Sequence, residues 1–261
     1  MIEEPYRWVE AIANRREYLE HQLAAGSPIV ALSYAGGILL FTMSRDRQKL
    51  FEIYDRIGMA GIGHPGDIER LRMAAIEVTS TEGFARSSHD VSLRRLANYS
   101  LSPVLKAAFE QVYGAPYLAR LLFAELGRGQ TPNQFVTLEY DGAIQTNGGP
   151  FGRSFEDFGV ISGTTASAAM MRRFLADRPT ASLPLGEALS IAQGAWATGH
   201  LLLAEPDRTE PPSAEELSRH LESQASAAVP EAAILDASST LPATWSTVRI
   251  GEIQQLTPER S

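Results

Sequence analysis

Histidine, cysteine and glycine spacing decides which chemistries this sequence can support. The five histidines, His21, His64, His89, His200 and His220, are scattered. They form no i,i+3 or i,i+4 pair and no HExxH motif, so no metal centre is expected. Cysteine is absent, which removes disulfides, thiol nucleophiles and zinc knuckles and leaves the redox compartment unconstrained. Neither a GxGxxG fingerprint nor a Walker A loop occurs, and with them go the two best-marked nucleotide folds. No cofactor is expected.

The 261 residues include 23 Lys and Arg against 31 Asp and Glu, a net charge of −8, with 44% apolar residues. This is globular composition with enough chain for a sizeable core, and it excludes disorder, collagen and coiled coil. The overall negative field repels phosphate, so neither nucleic acid nor an anionic membrane is an expected partner. No apolar run reaches the ~18 residues of a membrane span. The acidic opening Met1-Ile2-Glu3-Glu4-Pro5 is the opposite of a secretory leader, so the expectation is a cytoplasmic protein.

Tyr6 to Ala25 predict a helix, free of Gly and Pro and ended by Gly26. Trp8, Ile12, Leu19 and Leu23 lie near one stripe whose middle turn is Asn14-Arg15-Arg16, the pattern of a helix lying on a surface. Ile29 to Tyr34 and Ile38 to Thr42 predict two strands around a glycine turn, apolar enough to be covered on both faces. Strands follow at Lys49–Tyr54 and Arg56–Ile62, then a tight loop of Gly61, Gly63 and Gly66 around His64-Pro65. Asp67 is the expected N-cap of a helix reaching about Ser80, and Asp90–Val112 a longer helix kinked at Pro103.

Strands are expected at Tyr117–Glu125, Gln134–Tyr140 and Phe158–Ile161, with Asp141-Gly142 as the hairpin turn between the last two. Helices follow at Thr164–Ala176 and Leu185–Leu203. Residues 205–230 are acidic and Pro-rich, an expected exposed excursion with at most one short helix near Ala214–Ser223. Ala232–Leu235 and Trp245–Ile250 close the chain as strands. Paired helices between groups of two-faced strands imply one domain of two stacked sheets with a helical layer outside each.

Several strings in this order resemble proteasome α subunits, most closely the actinobacterial kind. They are Ser27-Pro28-Ile29-Val30-Ala31 through Gly36-Gly37-Ile38-Leu39, Gln48-Lys49-Leu50-Phe51-Glu52-Ile53-Tyr54-Asp55-Arg56-Ile57-Gly58, and Ala60-Gly61-Ile62-Gly63. Asp67-Ile68-Glu69-Arg70-Leu71-Arg72, Arg94-Arg95-Leu96-Ala97-Asn98 and Tyr140-Asp141-Gly142 continue the series. The resemblance spans about Pro5 to Leu203, with a weaker match at Ala232–Leu256. It implies an α/β fold, the four-layer αββα Ntn-hydrolase sandwich of two mainly antiparallel sheets flanked by helices, and a helix at 6–25 laid across the strands. It further implies a non-catalytic subunit of a heptameric ring that caps β-type subunits, gates their pore and receives an ATPase or other activator by its C-terminus.

Ntn hydrolases cut with an N-terminal Thr, Ser or Cys whose free amine is the base and whose local pKa a lysine lowers. The resemblance sets Ser27 at the nucleophile's position, Lys49 at the lysine's and Gly63 at that of the oxyanion-hole glycine. Three features argue against catalysis. Ser27 is inside the chain, so its nitrogen is an amide; Pro28 restrains it to extended geometry; and Met43 stands where an active chain carries a carboxylate. As an α subunit, the chain would use Lys49, with the Gly61-Ile62-Gly63 backbone, to bind the C-terminal carboxylate of an activator between neighbouring protomers. Tyr6, Trp8, Arg15 and Arg16 are the matching candidates for ring and gate contacts.

Two other readings compete: a free-standing Ntn amidohydrolase self-processed at Gly26-Ser27, and a divergent ring scaffold for another partner. Departures from the family pattern are the short tail Met1–Glu4 before Pro5, the long 142–157 loop, the 205–230 segment, and an end, Thr257-Pro258-Glu259-Arg260-Ser261, without a hydrophobic-Tyr-any docking motif.

Overall fold

The computed structural model of the chain describes residues 5–45, 47–111, 113–146, 156–249 and 251. Among them, helix α1 (Pro5–Leu23) precedes strands β1 (Ile29–Tyr34), β2 (Gly37–Ser44), β3 (Leu50–Tyr54) and β4 (Ile57–Gly63). Helices α2 (Pro65–Ala85), α3 (Leu93–Arg95) and α4 (Ser102–Glu110) follow, the last two joined by a π-helical stretch, Leu96–Leu101. Next come β5 (Ala119–Glu125), β6 (Gln134–Leu138), β7 (Ile144–Thr146) and β8 (Phe158–Ile161). Helices α5 (Thr165–Ala176), α6 (Leu185–Ala204) and α7 (Ala214–Gln224) and strands β9 (Val229–Asp236) and β10 (Trp245–Val248) complete it.

The strands form two five-stranded sheets, ordered β10-β9-β2-β1-β8 and β3-β4-β5-β6-β7, with every pairing antiparallel. Strand alternation sorts the apolar residues into three layers. Ile29, Ala31, Ile38 and Leu40 meet Leu50, Ala60, Ile62, Leu122 and Phe135 between the sheets. Val30, Leu32, Leu39 and Phe41 point the other way, onto Leu189, Ala192 and Trp196 of α6. Met59, Leu121, Phe123 and Val136 face α2 and the α3–α4 unit at Leu71, Ala75, Leu96 and Leu105. This is the αββα sandwich, and it accounts for β1 and β2 being apolar on both faces.

Helix α1 lies against the space between the sheets: Leu19 and Leu23 are buried in that cluster and Ile12 packs on it. Its Glu20 accepts from the Tyr140 hydroxyl at 2.7 Å and from Arg120 Nη2 at 3.2 Å. Arg120, only 3% exposed, also donates to Glu139 at 2.6 Å and to Ser162 O at 2.6 Å. A charge this deep is tolerated because its donors meet carboxylates and carbonyls.

Several expected boundaries move. Asp67 does not cap α2; His64 is the N-cap residue, and the Asp67 carboxylate instead accepts from Leu118 N at 2.9 Å. The helix runs to Ala85. The second helix starts later, at Leu93, with Ser92 as its cap, and ahead of Pro103 the chain widens into a π turn in which Ser102 N donates to Ala97 O. Val112 lies outside the described residues. Asp141-Gly142 does form a hairpin turn, but its second strand is β7, which sequence reading missed because it is three residues long and partly exposed. Strand β8 belongs to the other sheet, beside β1.

Residues 205–230 are not simply an exposed excursion. Ser213 and Glu216 form a capping box that starts α7, Leu217 is buried against α6, and β9 begins at Val229. The tail 1–4, loop residues 147–155, Ile250 and the end 257–261 fall outside the described residues.

Candidate functional site

The helix-to-strand junction at Gly26-Ser27 is held from three sides. Gly26 N donates to Leu23 O at 2.8 Å, ending α1, and Gly26 O accepts from Gly163 N at 3.1 Å. The Ser27 hydroxyl donates to Met43 O at 2.7 Å and accepts from Trp196 Nε1 at 3.1 Å. Its proton therefore points at a carbonyl, while an indole N–H draws on the oxygen lone pair an attack would need. Ser27 N is an amide without basicity, so this serine lacks both the activated oxygen and the base of an N-terminal nucleophile.

Lys49 enters the same region from the connection between β2 and β3. Its ammonium lies 3.5 Å from Ser27 O, and its carbonyl accepts from Gly61 N at 3.2 Å. Glu231 of β9 clamps the backbone here, accepting from Lys49 N at 2.9 Å and from Leu50 N at 3.0 Å. Burial raises the Glu231 pKa, and those two N–H groups together with the Lys49 charge pull it partly back. Sequence reading did not find this carboxylate, because it comes from a strand 182 positions away.

Glycines form the floor. Gly63 has φ +135°, and a Cβ there would stand 2.0 Å from Leu118 O; a Cβ on Gly61 would press on Ile68 at 3.0 Å. Glycine is required at Gly63 by backbone conformation and by lack of space together. The result is a cleft of about 730 Å³ that contains Ser27, Lys49, Gly61 and Gly63. Among the described residues Arg45, Arg47 and Lys49 line it with one acid, Glu69, beside apolar Phe51, Ile62 and Ile68. Such a place suits an anionic group carried on an apolar stem.

Trp196 and His200 complete the wall, and neither was singled out from the sequence. His200 Nδ1 is 2.9 Å from His220 Nε2, across from α6 to α7. The scattered histidines thus include one spatial pair, which sequence spacing of 20 could not disclose. Burial, then His220, Arg45 and Lys49, push His200 down to about 4, and burial lowers His220 against the pull of Glu205.

The remaining candidates lie elsewhere. Arg15 donates to Phe109 O and to Gln111 O, closing the end of α4. Arg16 pairs with Asp141 at 3.0 Å and sits over the Phe109 ring. Both therefore serve contacts within the chain. Trp8 is 40% exposed, and the Tyr6 side chain is outside the described residues. Among the described residues no helix is long and apolar enough to cross a membrane, and no three His, Cys, Asp or Glu are grouped to hold a metal ion.

No family model matches the chain. Known proteins do. It is 34% identical over 203 residues to a proteasome subunit alpha of Mycobacterium leprae (strain Br4923), covering 76% of this chain and 72% of the relative. It is 31% identical over 243 residues to the proteasome subunit alpha of Streptomyces coelicolor (strain ATCC BAA-471 / A3(2) / M145), covering 85% and 91%. The proteasome subunit alpha of Acidothermus cellulolyticus (strain ATCC 43068 / DSM 8971 / 11B) is 30% identical over 185 residues, covering 70% and 74%.

Proposed function

Because the chain belongs to the proteasome α-subunit family, we propose that it serves as a non-catalytic ring subunit, seven to a ring. The ring caps β-type subunits, controls substrate entry, and docks an activator through the carboxylate of its C-terminal tail. The observation that carries the docking reading is the Lys49 cleft. Its ammonium and two arginines stand over a glycine floor beside apolar side chains, which supplies charge for a carboxylate and surface for the residues preceding it. Clamping of the Lys49 backbone by Glu231 fixes where the side chain starts, so less entropy is lost on binding.

The test has two parts. Negative-stain imaging of the chain with and without a co-expressed β partner is expected to give seven-fold rings that stack only with β. Lys49→Ala is expected to leave those rings intact while removing activator-stimulated degradation. Rings of other symmetry would overturn the stoichiometry, and an unaffected Lys49→Ala complex would overturn the docking site.

A further inference from the structure

His200 forms part of one wall of the Lys49 cleft, and His220 of α7 stands behind it. The rings are 5.0 Å apart between centroids, and His200 stacks on Trp196 at 4.7 Å with an interplanar angle of 24°. At 2.9 Å between Nδ1 and Nε2, one nitrogen donates and the other accepts, so a single proton lies between the rings. A further proton added at an outer nitrogen turns this into a charge-assisted imidazolium–imidazole bond, which is stronger. Only the proton after that places N–H against N–H and breaks it. The pair thus titrates in two steps as a unit.

The charges facing the pair come from three places. Arg45 and Lys49, from the β2–β3 connection, act on His200; Glu205, at the end of α6, acts on His220; and His220 of α7 acts on His200. The two cations that oppose a proton on His200 also line the cleft. Anything that neutralises them relieves that opposition.

We propose that the His200–His220 pair is a proton site coupled to the cleft: a carboxylate entering beside Lys49 draws a proton onto the pair, and a protonated pair holds the carboxylate more tightly. The coupling must be reciprocal, because both effects are one interaction free energy seen from two sites. This rests on the docking reading for its ligand, a peptide tail with a free C-terminal carboxylate. Its sign is definite: acid conditions strengthen docking until the second proton parts the rings.

Titration calorimetry with the peptide acetyl-Ala-Leu-Tyr-Ala, as free acid and as C-terminal amide, on the assembled chain tests the coupling. The acid is expected to bind about threefold more tightly at pH 4.5 than at pH 7.5, with proton uptake. The gain should disappear in His200→Gln and in the amide. Binding of the acid with no such gain, or a gain retained in His200→Gln, overturns the proposal. If the peptide fails to bind at either pH, the docking reading falls, and the coupling is read without a ligand. An imidazolium stacked on an indole quenches it, so Trp196 emission reports the first proton. Lys49→Gln should then move the quenching midpoint up by about half a pH unit; an unmoved midpoint overturns the coupling.

Discussion

The Trp196 indole N–H donates to the Ser27 hydroxyl at 3.1 Å, and that hydroxyl donates onward to Met43 O at 2.7 Å. Both hydrogen-bonding roles that a nucleophilic serine needs for activation are thereby committed to structure. Incubation of the purified chain is expected to leave one intact mass, with no species beginning at Ser27. Ser27→Ala should cost about 2–3 kcal/mol through the two lost bonds and the unpaired Trp196 N–H while leaving ring assembly and β-dependent proteolysis unchanged. A mature form starting at that serine, seen by mass spectrometry, would refute the account.

Glu231 is expected to matter more than its place on a strand suggests. Replacing it with Ala strips the acceptor from Lys49 N and Leu50 N, and two part-buried amides without partners cost about 1–3 kcal/mol each. Glu231→Gln keeps one carbonyl and should recover a good part of the loss. Denaturant midpoints rank the variants, and activator binding should follow the same order if the clamp positions Lys49.

Gly63→Ala combines a backbone angle of +135° with a Cβ placed 2.0 Å from Leu118 O. Since the obstacle is a backbone carbonyl paired with His64 N at 2.7 Å, relief requires moving β4 against β5. A loss of at least about 3 kcal/mol is expected. Gly61→Ala meets the Ile68 side chain first, at 3.0 Å, rather than backbone, and should be milder. Thermal melting that placed the two variants together would show that the floor is not set by Gly63's backbone.

The sheets were legible because their information is local. Ile29 to Tyr34 and Ile38 to Thr42 carry two-faced apolarity, and Gly36-Gly37 marks the turn, so β1 and β2 could be placed to within a residue or two. Ser27, Lys49 and Gly63 could be gathered only by resemblance, and they do share a cleft. What stayed hidden depends on contacts distant in sequence. Glu231, Trp196 and the His200–His220 pair reach the site from β9, α6 and α7, and nothing in their own neighbourhoods signals it. Strand β7 was hidden for a different reason: Ile144–Thr146 has one partly buried residue and two exposed ones, too little pattern to mark a strand.

Folding stability should fall as the pH drops from about 6.5 towards 4. Burial pushes His200 down to about 4 from an ordinary 6.5, and lowers His220 as well. Over that window the unfolded chain binds protons the folded chain refuses, so each step to lower pH favours unfolding. Below about 4 the folded His200 accepts its proton too and the His200 contribution levels off. Carboxylates raised by burial, Glu231 and Glu125 among them, work in the opposite sense, because their folded forms take up protons first. Comparison with His200→Gln separates the two. Urea unfolding at pH 7, 5.5 and 4.5 should show a shallower decline in the variant than in the parent chain. Parallel declines would mean that His200 is not held neutral by its surroundings, and the acid sensitivity would then have to come from other groups.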